Sequence, residues 1–260
     1  MKIAIVGFGK MGHMIKTIAE KRGNQVVLTA DVVAQDADFI SSDSKAIAEA
    51  VKNSGAEGVI EFSHPSAVMK NISALLPQKI PMVVGTTGWL DKLDSVTEAA
   101  RKNDCALFYS ANFSIGVNLF YKIVEQASKL ISAYDDYDAA VWEAHHNTKA
   151  DSPSGTALEI ARCVMKGMPS KTELVNGNFS ARPEKHQLQV AATRVGCVPG
   201  THTVFYDSAA DTIELTHTAR SREGFALGAV CACEWLAKGI QSGELTNGSI
   251  YTMSDMLKNL

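Results

Sequence analysis

The sequence lacks the features that mark secreted, membrane-spanning and nucleic-acid-binding proteins. Its 5 cysteines are scattered at positions 105, 163, 197, 231 and 233, without a CxxC pair or an even disulfide framework. No uninterrupted apolar run reaches the roughly 18 residues of a spanning helix, and Gly7 and Gly9 interrupt the apolar start too early for a signal-peptide core. With 25 Lys and Arg against 28 Asp and Glu, the net charge is −3, without the basic surplus of nucleic-acid binders. We expect a cytoplasmic protein with reduced thiols that binds neither nucleic acid nor membrane.

The first 110 residues alternate short apolar runs with helical patterns. Alternation of this kind predicts βαβ units, and uniformly apolar strands are typical of a parallel sheet that is covered on both faces. We therefore predict an α/β fold with a Rossmann-type, doubly wound parallel sheet. The predicted strands are Lys2–Val6, Gln25–Ala30, Gly58–Phe62, Pro81–Val84 and Ala106–Tyr109, and the helices between them begin near Met11, Ser44, Ser63 and Leu93.

The pattern changes after Asn112. A long helical stretch, Ile115–Ile131, precedes a strand at Tyr137–Ala144, and β-branched residues then alternate with polar ones between Leu188 and Arg220. A final helix is predicted at Glu223–Lys238. We expect a second α+β domain with a mixed, largely open sheet. The predicted domains are 1–113 plus 224–260 for dinucleotide binding, and 114–223 for substrate binding and tetramerisation.

The run Gly7-Phe8-Gly9-Lys10-Met11-Gly12 matches G-x-G-x-x-G between a predicted strand and a predicted helix. Glycines at this spacing let backbone N–H groups approach a pyrophosphate at the helix N-terminus. Asp31 follows the second strand, where an acceptor for a ribose 2′-hydroxyl is expected. Because this carboxylate would repel a 2′-phosphate and no cation adjoins it, we expect NADH to be preferred, with NADPH left open as a second cofactor.

Two further loops follow the fourth and fifth predicted strands. Gly85-Thr86-Thr87-Gly88 is small and rich in hydroxyls, and Ser110-Ala111-Asn112-Phe113 carries an amide that could read a carboxamide. Ligands of doubly wound sheets bind outside the carboxyl ends of the strands. Together these loops predict a cofactor along one edge of the sheet.

The densest set of polar residues runs from Glu143 to Ala157 (EAHHNTKADSPSGTA), at the end of a predicted strand. His145, His146 and Lys149 would surround an anion and supply protons near neutral pH. The helix that follows would offer its first amides to that anion, which suits a carboxylate, through Ser154, Gly155 and Thr156. Adjacent histidines point to opposite sides of a strand and no third histidine lies near them in the sequence, so we expect no metal ion.

This run resembles the E-x-H-H-x-x-K-x-D-x-P-S-G-T-A signature of the dihydrodipicolinate reductase family. The resemblance covers the whole chain, because GTTG at 85–88, NFSIGVN at 112–118 and SREGFALGAV at 221–230 also match. The glycine loop is one residue shorter than the GxxGxMG spacing that the family often shows.

The resemblance implies the NAD(P)H-dependent reduction of a cyclic unsaturated dicarboxylate, derived from 4-hydroxy-tetrahydrodipicolinate, to tetrahydrodipicolinate in diaminopimelate and lysine biosynthesis. It also implies a first domain completed by the C-terminal helix and a homotetramer built through the second domain's sheet. His145 would be the acid/base and Lys149 the proton donor, although the residues leave open which of the two delivers the proton. His146, Gly155 and Thr156 would bind a carboxylate. The cofactor would be held by Gly7, Phe8, Gly9, Lys10, Met11, Gly12, Asp31, Gly85, Thr86, Thr87, Ser110, Ala111, Asn112 and Phe113.

Two alternative functions share the dinucleotide motif. One is another NAD-dependent amino-acid or semialdehyde dehydrogenase, and the other is a non-catalytic NAD(H)-sensing protein. Neither requires a His-His-x-x-Lys run followed by Ser-Gly-Thr, so the reductase is the main hypothesis.

Overall fold

The computed structural model of the chain describes residues 1–258. These divide into two compact units: Met1–Ile115 together with the chain from Glu223 onward form the first, and Gly116–Arg222 form the second. Residues 259 and 260, which belong to the predicted dinucleotide domain, lie outside the described residues.

Strands and helices alternate through the first unit and are grouped in the second. The strands are β1 Lys2–Val6, β2 Gln25–Asp31, β3 Phe39–Ile40, β4 Gly58–Glu61, β5 Met82–Val84, β6 Leu107–Tyr109, β7 Asp138–His145, β8 Glu173–Asn176, β9 Gln187–Arg194, β10 Thr201–Asp207, β11 Thr212–Thr218 and β12 Ile250–Tyr251. The α-helices are α1 Lys10–Lys21, α2 Ser44–Asn53, α3 Val68–Leu75, α4 Leu93–Asn103, α5 Ile115–Ile131, α6 Gly155–Gly167, α7 Glu223–Ser242 and α8 Met253–Met256.

The first unit contains a seven-stranded parallel sheet in the order β12-β6-β5-β4-β1-β2-β3. The predicted doubly wound fold is confirmed. The last four residues of β1 are all buried, as the apolar run at this position requires of a strand with helices on both faces. Because the strands are parallel, the loops after β1, β2, β4, β5 and β6 lie at one edge of the sheet.

Some predicted details of the first unit are wrong. α3 begins at Val68 and not at Ser63, because His64 instead forms a turn in which its carbonyl accepts from the amides of Ala67 and Val68. The strands β3 and β12 were not predicted, since two residues are too few to show a period. α2 begins at Ser44 as predicted, and Asp43 before it caps the helix by accepting a 2.9 Å hydrogen bond from the amide of Lys45.

The second unit contains a mixed five-stranded sheet in the order β11-β10-β7-β9-β8. β7 pairs with β9 in parallel and with β10 in antiparallel orientation. One face of this sheet packs on α5 and α6, and its core includes Val141, Val204 and Tyr206. β10 and β11 form an antiparallel hairpin that turns at Ser208–Asp211. The strand β8 was not predicted. Within the described chain, no helix is both long and apolar enough to cross a membrane.

Candidate active site

The glycine loop between β1 and α1 has an open side and a closed side. Gly7 has a φ of +95°, which residues with a side chain rarely adopt, and a Cβ there would overlap the backbone of Phe62. A Cβ at Gly12 would overlap the carbonyl oxygen of Gly7, so Gly12 permits α1 to pack closely on β1. A Cβ at Gly9 would meet no atom within 4 Å, and Gly9 caps α1 without a side-chain hydrogen bond. The N-terminus of α1 is therefore accessible at Gly9.

Asp31 ends β2, and its carboxylate connects the glycine loop to the loop that follows β2. Its Oδ2 accepts a 2.7 Å hydrogen bond from the amide of Phe8, and its Oδ1 accepts from the amides of Val33 and Ala34 at 2.9 and 3.1 Å. Burial opposes ionisation, but the backbone donors outweigh it and hold the pKa of Asp31 below its usual range. A carboxylate has about four acceptor sites, so the ionised group retains capacity for a further donor.

The loop after Asp31 is also tied to α1 by an ion pair that sequence reasoning missed. Nε2 of His13 lies 2.6 Å from a carboxylate oxygen of Asp36, and Nδ1 lies 2.8 Å from the carbonyl of Gly9. The His13 ring stacks on that of Phe8 at 4.1 Å. The contact with Asp36 raises the pKa of His13. The loop therefore carries two carboxylates, Asp31 at its start and Asp36, which is paired with His13.

A buried polar network around Glu61 joins the ends of β4 and β5. Oε1 of Glu61 accepts from the Ser63 hydroxyl and, at 3.0 Å, from Nδ2 of Asn71. The Thr86 hydroxyl in turn accepts a 2.8 Å hydrogen bond from the amide of Ser63. Burial raises the pKa of Glu61, although hydrogen bonds from its hydroxyl and amide neighbours oppose this. The network holds the predicted cofactor loop Gly85–Thr87 against the neighbouring strand.

The remaining predicted cofactor residues differ in exposure. Thr87 and Ala111 are exposed, whereas Phe113 is buried and its ring lies 5.8 Å from that of Phe108. The Ser110 hydroxyl donates to the carbonyl of Asn112 at 2.8 Å, which fixes this loop internally. The Phe113 ring therefore packs in the interior of the first unit.

These loops fit a dinucleotide. The side of the glycine loop at Gly9 is open, glycines take the positions where a Cβ would collide, and a helix N-terminus without a side-chain cap adjoins them. Residues 7–12 would hold the pyrophosphate and Asp31 a ribose. The loops after β5 and β6 would lie along the same edge of the sheet, toward the nicotinamide.

In the second unit, strand pairing gathers four polar residues at the end of β7. His145 is the last residue of β7 and pairs with Arg194 of β9, while Glu143 pairs with His202 of β10. The side chains of Glu143, His145 and His202 are buried. Sequence reasoning named only His145 from this group as a site residue.

Glu143 is the hydrogen-bonding centre of this group. Its Oε1 accepts from the amide of Ser154 and from a guanidinium nitrogen of Arg194, both at 2.9 Å, and its Oε2 accepts from the Ser154 hydroxyl. Burial would raise the pKa of Glu143, but donors from His202, Ser154 and Arg194 hold it well below its usual range. Glu143 is therefore ionised and fixes the start of α6 beside the end of β7.

His145 lies against this carboxylate. Its Nε2 is 3.3 Å from Oε2 of Glu143 and 3.4 Å from Nε2 of His202. Burial lowers the pKa of His145, with the Glu143 charge opposing this and His202 and Lys149 adding to it. A Cβ at Gly200 would overlap the His145 ring, so the backbone at Gly200 packs directly on the imidazole.

The other predicted basic residues lie on the turn after β7. Nδ1 of His146 is 2.7 Å from the Thr148 hydroxyl, and Nζ of Lys149 is 2.7 Å from a carboxylate oxygen of Asp151. Lys149 also lowers the pKa of Asp151. Both side chains are partly exposed on the turn that leads into α6.

The predicted carboxylate-binding turn is the start of α6. Ser154 is buried and caps the helix, since its hydroxyl accepts a 3.1 Å hydrogen bond from the amide of Ala157. Its amide and hydroxyl both donate to Glu143, so Ser154 positions the turn through that contact. A Cβ at Gly155 would meet no atom within 4 Å, so the backbone there is open to a ligand beside Thr156.

The fold brings a third histidine to His145 that the sequence does not place near it. His202 is 57 residues away in sequence, and antiparallel pairing of β7 with β10 brings it to His145. Arg194 was missed for the same reason, because only the register of β9 on β7 places it beside Glu143. One signal for these residues was present in the sequence: Arg194 and His202 each lie within a run whose alternation of residues predicts a strand.

Two protein-family models match the chain, one over each part of it. The model described as "Dihydrodipicolinate reductase, N-terminus" matches residues 1–113, and "Dihydrodipicolinate reductase, C-terminus" matches residues 116–257. The chain belongs to the dihydrodipicolinate reductase family. The predicted membership, and with it the predicted activity of an NAD(P)H-dependent reductase, is confirmed.

Similar proteins from other organisms support this family assignment. A 4-hydroxy-tetrahydrodipicolinate reductase of Christiangramia forsetii is 36% identical over 260 residues, covering 100% of this chain and 99% of its own. One from Archaeoglobus fulgidus is 36% identical over 267 residues, covering 99% and 100%. A solved structure, the dipicolinate-bound dihydrodipicolinate reductase from Paenisporosarcina sp. TG-14, aligns with a TM-score of 0.73 at 19% identity over 99% of each chain, which shows a shared fold.

Proposed function

We propose that this chain reduces the cyclic unsaturated dicarboxylate derived from 4-hydroxy-tetrahydrodipicolinate to tetrahydrodipicolinate, in the pathway to diaminopimelate and lysine. The observation that carries the proposal is the bond from the Ser154 amide to Glu143, 2.9 Å long. It brings the N-terminus of α6 to the end of β7, which bears His145 and is followed by the turn with His146 and Lys149. A dianionic substrate needs such a local cationic site in a protein whose net charge is −3. The similar structure from Paenisporosarcina holds dipicolinate, a cyclic dicarboxylate, which supports this substrate class.

We assign separate roles to the residues of this site. His146, Gly155 and Thr156 bind a carboxylate of the substrate, and Ser154 positions their turn. Lys149 and His145 are the catalytic residues: Lys149 donates a proton to the reduced ring, and His145 serves as the acid/base beside it. The bound nicotinamide supplies the hydride. This division of roles requires no metal ion.

We further propose that NADH is the preferred cofactor, with NADPH the weaker one. The ionised Asp31 carboxylate supports this, because a 2′-phosphate placed beside it would be repelled. No Lys or Arg occurs between Asp31 and Ser44 to neutralise that phosphate. The cofactor contacts proposed for residues 7–12, 85–87 and 110–113 follow from their place at one edge of the sheet.

The assembly we propose is a cytoplasmic homotetramer built through the second unit's sheet. The face of that sheet turned away from α5 and α6 bears a shallow depression of about 490 Å³, lined by Trp142, Gln189, Ala191 and Phe205 among others. Apolar residues at alternate positions of adjacent strands are typical of a face that another surface covers. A second copy of this sheet is the proposed cover.

One assay distinguishes this function from its alternatives. Substrate is generated in place by a synthase that makes 4-hydroxy-tetrahydrodipicolinate, and NADH consumption is followed with and without that synthase. Synthase-dependent consumption supports the proposal. Consumption with an amino acid or a semialdehyde in place of that substrate indicates another dehydrogenase, and NADH binding without turnover indicates a sensing protein.

A further inference from the structure

Three atoms in the second unit that could ligate a metal ion form a nearly equilateral triangle. Oε2 of Glu143 and Nε2 of His145 are 3.3 Å apart, the two Nε2 atoms of His145 and His202 are 3.4 Å apart, and Nε2 of His202 lies 3.5 Å from the same Oε2. All three side chains are buried, and His145 is the most exposed of them at 8%. This Glu143–His145–His202 cluster stands out because each side chain places a metal-ligating atom within 3.5 Å of those of the other two.

The distances within the triangle are longer than those of typical hydrogen bonds. N–H···O hydrogen bonds in proteins centre near 2.9 Å and rarely exceed about 3.2 Å. The other oxygen of Glu143 meets that standard, because Ser154 and Arg194 each donate to it at 2.9 Å. Oε2 also accepts from the Ser154 hydroxyl, but its two imidazole contacts are longer, at 3.3 and 3.5 Å, and two ring nitrogens face one another. Long hydrogen bonds from the imidazoles are one source of this spacing, and coordination of one metal ion is another.

Tetrahedral coordination explains it. Zinc binds His nitrogen and carboxylate oxygen at about 2.0–2.2 Å, which sets two ligand atoms of a tetrahedron about 3.3–3.5 Å apart. The three edges of the triangle fall in that range. If both imidazoles pointed their lone pairs at one ion, their ring centroids would lie about 5.2 Å apart on the same bond lengths; the observed separation is 5.1 Å.

We propose that Glu143, His145 and His202 bind one divalent transition-metal ion of the Zn²⁺ class. Two imidazoles and a carboxylate suit Zn²⁺ and Co²⁺ and select against Mg²⁺ and Ca²⁺, which require oxygen donors. Ser154 and Arg194 orient the carboxylate from outside, as partners of metal-bound carboxylates do. The ion is not needed for reduction. Because it occupies His145, it inhibits the reaction, and this consequence rests on the proposed role of His145.

Binding of the metal is tested without reference to activity. The full-length protein is stripped with a chelator and titrated with Co²⁺ while the visible ligand-field bands of tetrahedral cobalt are recorded, and Zn²⁺ stoichiometry is measured by equilibrium dialysis. We expect one equivalent of each ion and the tetrahedral spectrum. The absence of that spectrum, or no bound Zn²⁺ beyond that of the variant His202→Asn, would overturn the proposal.

His217 provides a matched control, because it lies on β11 directly opposite His202 and does not belong to the cluster. His202→Asn should weaken Zn²⁺ binding by more than about 100-fold, since loss of an outer partner alone costs about 10–100-fold. His217→Asn should leave binding unchanged. Equal affinities of the two variants contradict the proposal, and Glu143→Gln provides a second test if His202→Asn does not fold.

Inhibition is measured separately. Zn²⁺ added to the stripped wild-type enzyme should stop synthase-coupled NADH consumption, and a chelator should restore it, while His202→Asn should resist the same concentration. If the stripped protein shows no turnover, the proposed function fails, and the binding measurements still decide the metal site. If Zn²⁺ binds and turnover is unaffected, the placement of the ion on His145 is wrong.

Discussion

The amide of Phe8 donates a 2.7 Å hydrogen bond to the carboxylate of Asp31. This bond ties the turn of the glycine loop to the end of the neighbouring strand. The residue proposed to read the ribose is thereby part of the loop proposed to hold the pyrophosphate. Cofactor choice and loop geometry therefore depend on the same side chain.

Asp31→Asn tests this dependence. The amide oxygen can still accept from Phe8, but the charge that would repel a 2′-phosphate is gone. We expect the ratio of kcat/KM for NADH to that for NADPH to fall by about tenfold or more, equivalent to about 1.4 kcal/mol. Steady-state kinetics with both cofactors measure this ratio. An unchanged ratio would show that Asp31 does not face the ribose, and wild-type preference for NADPH would refute the assignment outright.

Lys149→Ala tests the division of roles in the second unit. If Lys149 donates the proton, its loss should lower kcat by about 10²–10⁴-fold, the usual contribution of a positioned acid, with a smaller change in KM. Lys166→Ala is the matched control, because Lys166 is an exposed lysine that pairs with Glu125 on the same unit. A raised KM with intact kcat would make Lys149 a binding residue only.

The buried carboxyl of Glu61 should make the free energy of unfolding depend on pH. Its folded-state pKa is raised by burial, so its contribution to stability is complete below the unfolded pKa of about 4.3 and is lost as pH rises through the folded value. Relative to Glu61→Gln, which stays neutral, the wild type should lose stability as the pH rises above the unfolded pKa of about 4.3. Urea unfolding at several pH values measures the difference. The exposed Glu98→Gln on α4 should show no such trend, and parallel curves for wild type and Glu61→Gln would contradict the prediction.

The open face of the second unit's sheet predicts an effect on assembly. Phe205→Glu places a charge on the surface proposed to be covered by another copy, where burial of an unpaired charge costs about 3–5 kcal/mol. We expect sedimentation velocity at micromolar concentration to show a tetramer for wild type and smaller species for the variant. Leu130→Glu is the control, because Leu130 is 75% exposed on α5. A wild-type monomer with full activity would refute the tetramer.

Local patterns predicted most of the elements and failed where structure depends on distant residues. The run Lys2–Val6 predicted a buried parallel strand because its apolar residues need no partner in the sequence to be recognised. The two-residue strands β3 and β12 are defined by their pairing with β2 and β6, so no periodic pattern in the sequence predicts them.

The site shows the same limit. His145, His146 and Lys149 adjoin one another in sequence and could be grouped from it. Glu143 gains its importance only from Arg194 and His202, which the register of β9 and β10 brings to β7. A single sequence does not specify that register.

The central claim is the chemistry, and the synthase-coupled assay measures it directly. With wild-type enzyme and freshly generated substrate, we predict that NADH is consumed in a one-to-one ratio with tetrahydrodipicolinate formed, and that omission of the synthase stops consumption. Lys149→Ala should reduce the rate sharply while NADH binding is unchanged. NADH binding with no consumption in the complete system, or consumption that does not depend on the synthase, would contradict the account.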